Sequence, residues 1–290
     1  MFSSEFDYYR ARSVSEASDL LQKHSGAKLL AGGHSLIPLL KLRLASPSAL
    51  IDIGRIAELR GITVSGSTVR IGPLTTHAEL ASSAVLRQQC PALAEAAARV
   101  GDPAVRNRGT IGGNVAHADP ASDLPTVLTA LDARMSATGP GGTRTFGAGD
   151  FFTGMMSTAL GEKDVLTAIE IPVLTKGQGM AYVKFEHPAS RYAVIGVTAA
   201  VTLAGGTCTS AAVAIGGCVP RPARAKTVEK ALTGQSLSGE TIAKAASQVS
   251  RDLGDDILGD LFASAEYRKA MAPVWVKRAV TAATERSERS

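Results

Sequence analysis

Ala31-Gly32-Gly33-His34-Ser35 and Thr110-Ile111-Gly112-Gly113-Asn114 are the two stretches on which the reading of this chain turns. The first follows a short apolar run, Lys28-Leu29-Leu30, and leads into Leu36-Ile37-Pro38-Leu39-Leu40-Lys41-Leu42. That order predicts a strand, a tight glycine turn and then a helix. Ser35 falls at the N-cap and Pro38 in the first turn, where a missing N–H has no partner to lose. Paired glycines adopt dihedrals closed to other residues and leave the main chain uncovered. Uncovered N–H groups at a turn or helix start form a concave site for a phosphate oxygen. One Gly-Gly turn is commonly just a turn. Two of them, flanked by Ser, Thr and Asn, suggest two arms around one large anionic ligand, with a diphosphate as first candidate.

The bulk of the chain agrees with a folded enzyme-sized protein. It has 290 residues, 45% hydrophobic and 20% charged, enough for one large domain or two ordinary ones. The net charge of +5 is scattered and aromatic residues are only 4%, so the clustered basic and aromatic surface of a nucleic-acid binder is missing. Cys90, Cys208 and Cys218 form no C-x-x-C, which predicts inert thiols in a reducing cytoplasm. Met1-Phe2-Ser3-Ser4-Glu5-Phe6-Asp7 lacks the basic and apolar regions of a signal peptide. No apolar run reaches the roughly 18 residues of a membrane span.

Along the chain, a strand over Phe6 to Tyr9 precedes Ser13-Val14-Ser15-Glu16, which has capping-box spacing. A helix to about His24 follows, with Ala17, Leu20 and Leu21 inward. The helix after the first glycine loop should stop near Ser46-Pro47, and Leu50 to Ile53 reads as a strand. Ile62-Thr63-Val64 and Val69-Arg70-Ile71 predict a hairpin. Helices are expected from Thr75, over Pro91 to Val100 and over Leu124 to Leu131. Thr138 to Gly149 reads as a glycine-rich turn region and Val165 to Ile171 as a strand. Leu174 to Gly179 looks like a linker. Strands over Met180–Phe185, Tyr192–Leu203 and Cys208–Gly216 then precede helices near Ala223–Leu232, Glu240–Leu253 and Ala265–Thr284. Strands followed by helices imply an α+β second domain.

Missing motifs prune the chemistry. The chain has no G-x-G-x-x-G, no G-x-x-x-x-G-K-[ST] and no H-E-x-x-H, and Ser35 and Ser122 lack the setting of a nucleophile elbow. His24, His34, His77, His117 and His187 are too dispersed to read as a metal site.

The two glycine loops, with His117-Ala118-Asp119-Pro120-Ala121-Ser122-Asp123 after the second, closely resemble the FAD-binding medium subunit of molybdenum hydroxylases. The likeness runs the whole length, including Phe6-Asp7-Tyr8 and Gly72-Pro73-Leu74-Thr75-Thr76. It implies an α+β architecture: a two-lobed FAD-binding domain of the PCMH type over 1–175, with lobes of about 1–57 and 58–175. A smaller domain over 176–290 would hold a three-stranded antiparallel sheet plus helices. It further implies that Ala31, Gly32, Gly33, His34, Ser35 and Leu36 form one cofactor loop and Thr110, Ile111, Gly112, Gly113 and Asn114 the other, around the FAD diphosphate. Asp123 matches a family carboxylate that binds the flavin's polar groups, and Ala118 belongs to the same set of cofactor-binding residues. Leu166 matches a backbone contact near the ring, Lys184 a lysine beside the isoalloxazine, and Tyr192 an aromatic residue against one flavin face. A cation at the ring would stabilise the negative charge of the reduced flavin. The His117 to Asp123 segment looks more like relatives acting on aldehydes, purines or N-heterocycles than like the carbon monoxide enzymes.

In such a family, electrons would pass from a molybdopterin large subunit through the [2Fe–2S] clusters of a small subunit to FAD on this chain, then to an external acceptor. The family's dimer of heterotrimers is the expected assembly. Two other readings stay open on the residues: a stand-alone flavoprotein oxidase or reductase, and a non-catalytic dinucleotide-binding assembly module.

Overall fold

Parallel strands have to be joined by crossovers, and the first lobe supplies them with two short helices. In the computed structural model, which describes residues 2–289, β1 (Asp7–Arg10), β2 (Lys28–Leu30) and β3 (Ala49–Asp52) make a parallel sheet in the order β1-β3-β2. Met1, part of the amino-terminal stretch read above, lies outside the described residues. The crossovers are α1 (Val14–Lys23) and α2 (Leu36–Lys41). The Ser13 hydroxyl accepts the Glu16 amide at 3.1 Å, while the Glu16 carboxylate accepts the Arg12 amide, one residue before the position a capping box would use. Ala17, Ser18 and Leu21 of α1 are buried and Leu20 is half-buried. α2 ends at Lys41, short of Ser46, and Arg43 turns left-handed at φ 57°. Ser35 stands at its N-cap in a right-handed helical conformation and makes no side-chain cap bond.

The second lobe begins with the expected hairpin, β4 (Ile62–Ser65) and β5 (Thr68–Ile71). Six helices follow: α3 (His77–Ser82), α4 (Ala84–Gln89), α5 (Pro91–Ala98), α6 (Pro103–Arg108), α7 (Ile111–His117) and α8 (Leu124–Ala130). The chain then forms β6 (Arg134–Gly139), β7 (Gly142–Gly147), α9 (Ala148–Phe151), the small hairpin β8 (Phe152–Gly154) with β9 (Ser157–Thr158), and β10 (Val165–Pro172). β4-β5-β10-β6-β7 is an antiparallel sheet. Thr138 to Gly149, which reads as turn in the sequence, therefore belongs largely to a hairpin. Hydroxyl pairs Ser136–Thr145 (3.0 Å) and Thr138–Thr143 (2.9 Å) tie its two strands together. The second glycine loop is likewise helical, because the Thr110 cap outweighs the poor helix propensity of Gly112 and Gly113.

The final region starts inside the stretch read as a linker. β11 (Gln178–Glu186), β12 (Ala193–Ala204), β13 (Thr207–Gly216) and β14 (Ala223–Arg224) form an antiparallel sheet in that order. It has one short strand more than the three expected, since the helix anticipated from Ala223 begins only at Lys226. α10 (Lys226–Leu232), α11 (Gly239–Ala246) and α12 (Ala265–Ser287) cover one face.

Alternation along β11 decides what each residue meets. Met180 and Tyr182 join the core of the second lobe, whereas Ala181, Val183 and Phe185 pack with the terminal helices. Glu95 of α5 fastens this junction. Its carboxylate accepts the Tyr182 amide at 3.2 Å and pairs with Arg286 of α12 at 2.7 Å. Replacing Glu95 with Ala should therefore cost about 1–2 kcal/mol and lower the melting temperature. Glu170→Ala, which removes only the 3.8 Å surface pair with Arg134, should change stability by less than about 0.5 kcal/mol. Equal losses in thermal unfolding would contradict the junction.

A candidate cofactor site between the lobes

A cavity of about 760 Å³ is lined by residues of both lobes and by Ser190, Arg191 and Tyr192 from the segment between β11 and β12. Its frame is made by backbone meeting backbone. A Cβ on Gly32 would lie 2.1 Å from the Arg108 carbonyl oxygen and 3.0 Å from the Gly109 Cα, so the two glycine loops touch directly. On Gly112 it would lie 2.3 Å from the Pro73 Cβ, which seats α7 against the Gly72-Pro73-Leu74 step. Side chains at either position would force these segments apart. Gly33 adds a left-handed turn at φ 75°.

The two loops differ in what their amides do. In the second, Ile111 donates to the Thr75 carbonyl (3.0 Å), Gly112 to that of Pro73 (2.8 Å) and Asn114 to that of Thr110 (3.0 Å). Gly113 donates to the Thr110 hydroxyl at 3.1 Å. In the first, the amides of Gly33, His34 and Ser35 donate to nothing among the described residues. Only one of the two expected arms thus offers free N–H groups; the other is a rigid frame. Its contribution is Asn114, whose Nδ2 donates to the Ser122 hydroxyl at 2.9 Å while its buried Oδ1 has no partner among the described residues.

Thirteen of the sixteen residues expected at the site line this cavity: Ala31 to Leu36, Thr110, Gly112 to Asn114, Asp123, Leu166 and Tyr192. Leu166 reaches it at a β-bulge, where β10 carries an extra residue, Thr167, against β6. Tyr192, 45% exposed, follows Arg191, a left-handed residue at φ 60° whose guanidinium donates to the Gly101 carbonyl at 3.2 Å.

The other three residues sit behind the wall. Ile111 is fully buried in the core of the second lobe. Ala118 is the left-handed C-cap of α7, and its carbonyl accepts the Met156 amide. Lys184 is buried against Asp123, with Nζ 2.9 Å from Oδ1, and is not among the lining residues. Tyr182 donates to the same Oδ1 at 2.5 Å. Burial pushes the Asp123 carboxyl above the usual range, against the pull of Lys184, Tyr182 and Arg99.

Among the lining residues that the sequence reading did not mark as site residues is His77. His77, the first residue of α3, is buried, with Nδ1 unpartnered among the described residues. The signal was present: Thr76-His77-Ala78-Glu79 has capping-box spacing, and the structure forms that box.

The free amides of the first loop suit an anion, and Leu166 and Tyr192 add apolar and aromatic surface to the same cavity. Asn114 and His77 also line the cavity, each with a buried polar atom that has no partner among the described residues. These features fit a dinucleotide that carries both a diphosphate and a ring. No cluster of potential metal ligands occurs among the described residues, nor is any helix among them long and apolar enough to cross a membrane.

Comparison with known proteins points the same way. Residues 4–174 match the family model described as the FAD binding domain in molybdopterin dehydrogenase, and 180–283 the CO dehydrogenase flavoprotein C-terminal domain. The carbon monoxide dehydrogenase medium chain of Hydrogenophaga pseudoflava is 41% identical over 289 residues, covering 99% of each chain. The glyceraldehyde dehydrogenase medium chain of Sulfolobus acidocaldarius is 38% identical, covering 96% of this chain and 98% of its own. A solved structure of carbon monoxide dehydrogenase from Hydrogenophaga pseudoflava superposes with a TM-score of 0.95 at 42% identity, covering 99% of both chains. With both family models matched and these identities sustained along nearly its whole length, the chain belongs to the FAD-binding medium subunits of the molybdenum hydroxylases.

Proposed function

We propose that this chain is the electron-transfer subunit of a cytoplasmic molybdenum hydroxylase, holding FAD in the cavity between its lobes. Its partners would be a small subunit with [2Fe–2S] clusters and a large molybdopterin subunit that sets the substrate, assembled as a dimer of heterotrimers. The observation that carries the reading is the row of unpartnered amides at Gly33, His34 and Ser35, in a cavity that also presents Leu166 and Tyr192. Bound FAD supplies a redox group that exchanges electrons one or two at a time. This chain's residues bind and orient it: the first loop takes the diphosphate, Asn114 adds a polar contact, and Tyr192 covers one face of the ring. Three free, buried cysteines fit a reducing compartment. We divide the chain at about residue 175, just before β11 begins.

His77 bears on the anion end of this site. Burial brings its imidazole down to about 4, helped by His34 and Arg106, so it is neutral at pH 7. The unfolded chain, with an ordinary imidazole near 6.5, binds that proton more readily. Stability present above about pH 6.5 is therefore lost as the pH falls toward 4.

Three measurements test this account. A pull-down on the full chain from its native host should yield FAD, iron and molybdenum with two co-purifying chains; a lone, metal-free yellow protein would contradict the subunit reading. Gly33→Val, which cannot keep a left-handed turn, should lose bound flavin, whereas Gly141→Ala, with open space around it, should keep it. Retained flavin in Gly33→Val would contradict the loop assignment. In melting curves from pH 7 to 5, the wild type should lose more stability than His77→Gln, and equal slopes would remove His77 from the account.

A further inference from the structure

Ser190, Arg191 and Tyr192, successive residues of the turn between β11 and β12, line the cavity, yet the turn is exposed from Pro188 to Tyr192. An exposed turn keeps one shape only where its own amides find acceptors. His187 supplies most of them. Its carbonyl accepts the Arg191 amide and its own amide donates to the Tyr192 carbonyl, both at 2.8 Å, which closes the turn. Its imidazole Nδ1 accepts the Ala189 amide at 3.2 Å and the Ser190 amide at 3.4 Å. An asparagine or aspartate at the head of a turn folds its side chain back onto following amides in the same way. That role needs Nδ1 without hydrogen, and so places the imidazole proton on Nε2.

Phe262, from the loop before α12, packs on the same imidazole with ring centroids 4.6 Å apart. Although 46% exposed, Phe262 stands on a fixed support. Asp260 Oδ1 accepts the Phe262 and Ala263 amides, both at 2.8 Å, and its Oδ2 pairs with Arg268 of α12. Arg268 is buried and donates to the carbonyls of Gly217 (2.7 Å) and Val194 (3.2 Å), at the base of the turn. Neither His187 nor Phe262 is among the residues lining the cavity. Resting on the reading of Tyr192 as the cover of one flavin face, we infer that His187, backed by Phe262, is a positioning residue for Tyr192. It acts from outside the cavity, through the turn, and keeps the phenol over the ring. Tyr192 depends on such support because it is 45% exposed and follows Arg191 in a left-handed conformation at φ 60°, which a side-chain-bearing residue holds only when its surroundings impose it.

The test reads the fluorescence lifetimes of FAD bound to the full chain. A phenol in contact with an excited isoalloxazine quenches it by passing over an electron that then returns, so covered flavin decays fast and uncovered flavin slowly. Wild type should show mainly the fast component, and Tyr192→Phe should lose it. His187→Ala, which removes the acceptor for two amides, should lower the ratio of fast to slow amplitude about fivefold. His187→Asn, whose Oδ1 can accept the same amides, should restore most of that ratio. Phe262→Ala keeps the imidazole but not its backing; it should shift the ratio the same way by less, and it carries the test should His187→Ala fail to fold. Wild-type amplitudes in His187→Ala, or an equal loss in His187→Asn, would overturn the inference. A fast component that persists in Tyr192→Phe would overturn the ring assignment of Tyr192 itself, and the inference with it.

Discussion

Backbone contact between the two glycine loops is the constraint on which the rest of the site depends. Gly32 rests on the Arg108 carbonyl and Gly109 with no room for a side chain. Gly112 rests in the same way on Pro73. These contacts fix the second loop through its own amides, each paired to Thr75, Pro73 or Thr110. The first loop, carried on that frame, is left with three amides and no internal acceptor. Gly33 and Ser35 are half-buried, where amides rarely go unpaired. A ligand with anionic oxygens is the partner such a row lacks.

The second constraint is the two-faced strand β11. Because successive side chains alternate, one strand fills the core under α12 with Val183 and Phe185 while sending Tyr182 and Lys184 into the wall of the cavity. The carboxy-terminal domain therefore does more than attach to the FAD-binding domain. It supplies Tyr182 and Lys184, the two side chains that bind the Asp123 carboxylate. The cavity thus carries free N–H donors at the first glycine loop and the paired carboxylate of Asp123 in its wall.

Much of this was legible in the sequence. Both Gly-Gly pairs, the αβ alternation of the first lobe and the strands-then-helices order after Gln178 are local signals; the two glycine loops hold ten of the thirteen expected residues that line the cavity, and the family resemblance added Asp123, Leu166 and Tyr192. What escaped depended on tertiary contact. The helix α7 forms over Gly112 and Gly113 because Thr110 caps it and Pro73 abuts it, and neither contact can be read from propensity. The β6–β7 hairpin hides in a run of Gly and Thr whose cross-strand hydroxyl pairs appear only once the strands meet. Lys184 was marked by the family resemblance alone, and its burial behind Asp123 follows from the parity of β11 and the placement of α8. The unequal roles of the two loops could be seen only by tracing every amide.

Backbone amide hydrogen exchange, with and without FAD, addresses the central claim most directly, since it reads individual N–H groups. The account predicts that FAD slows exchange at Gly33, His34 and Ser35 far more than at Ile111, Gly112 and Gly113, which are already paired. Unchanged exchange at the first three, or new protection confined to the second loop, would contradict it.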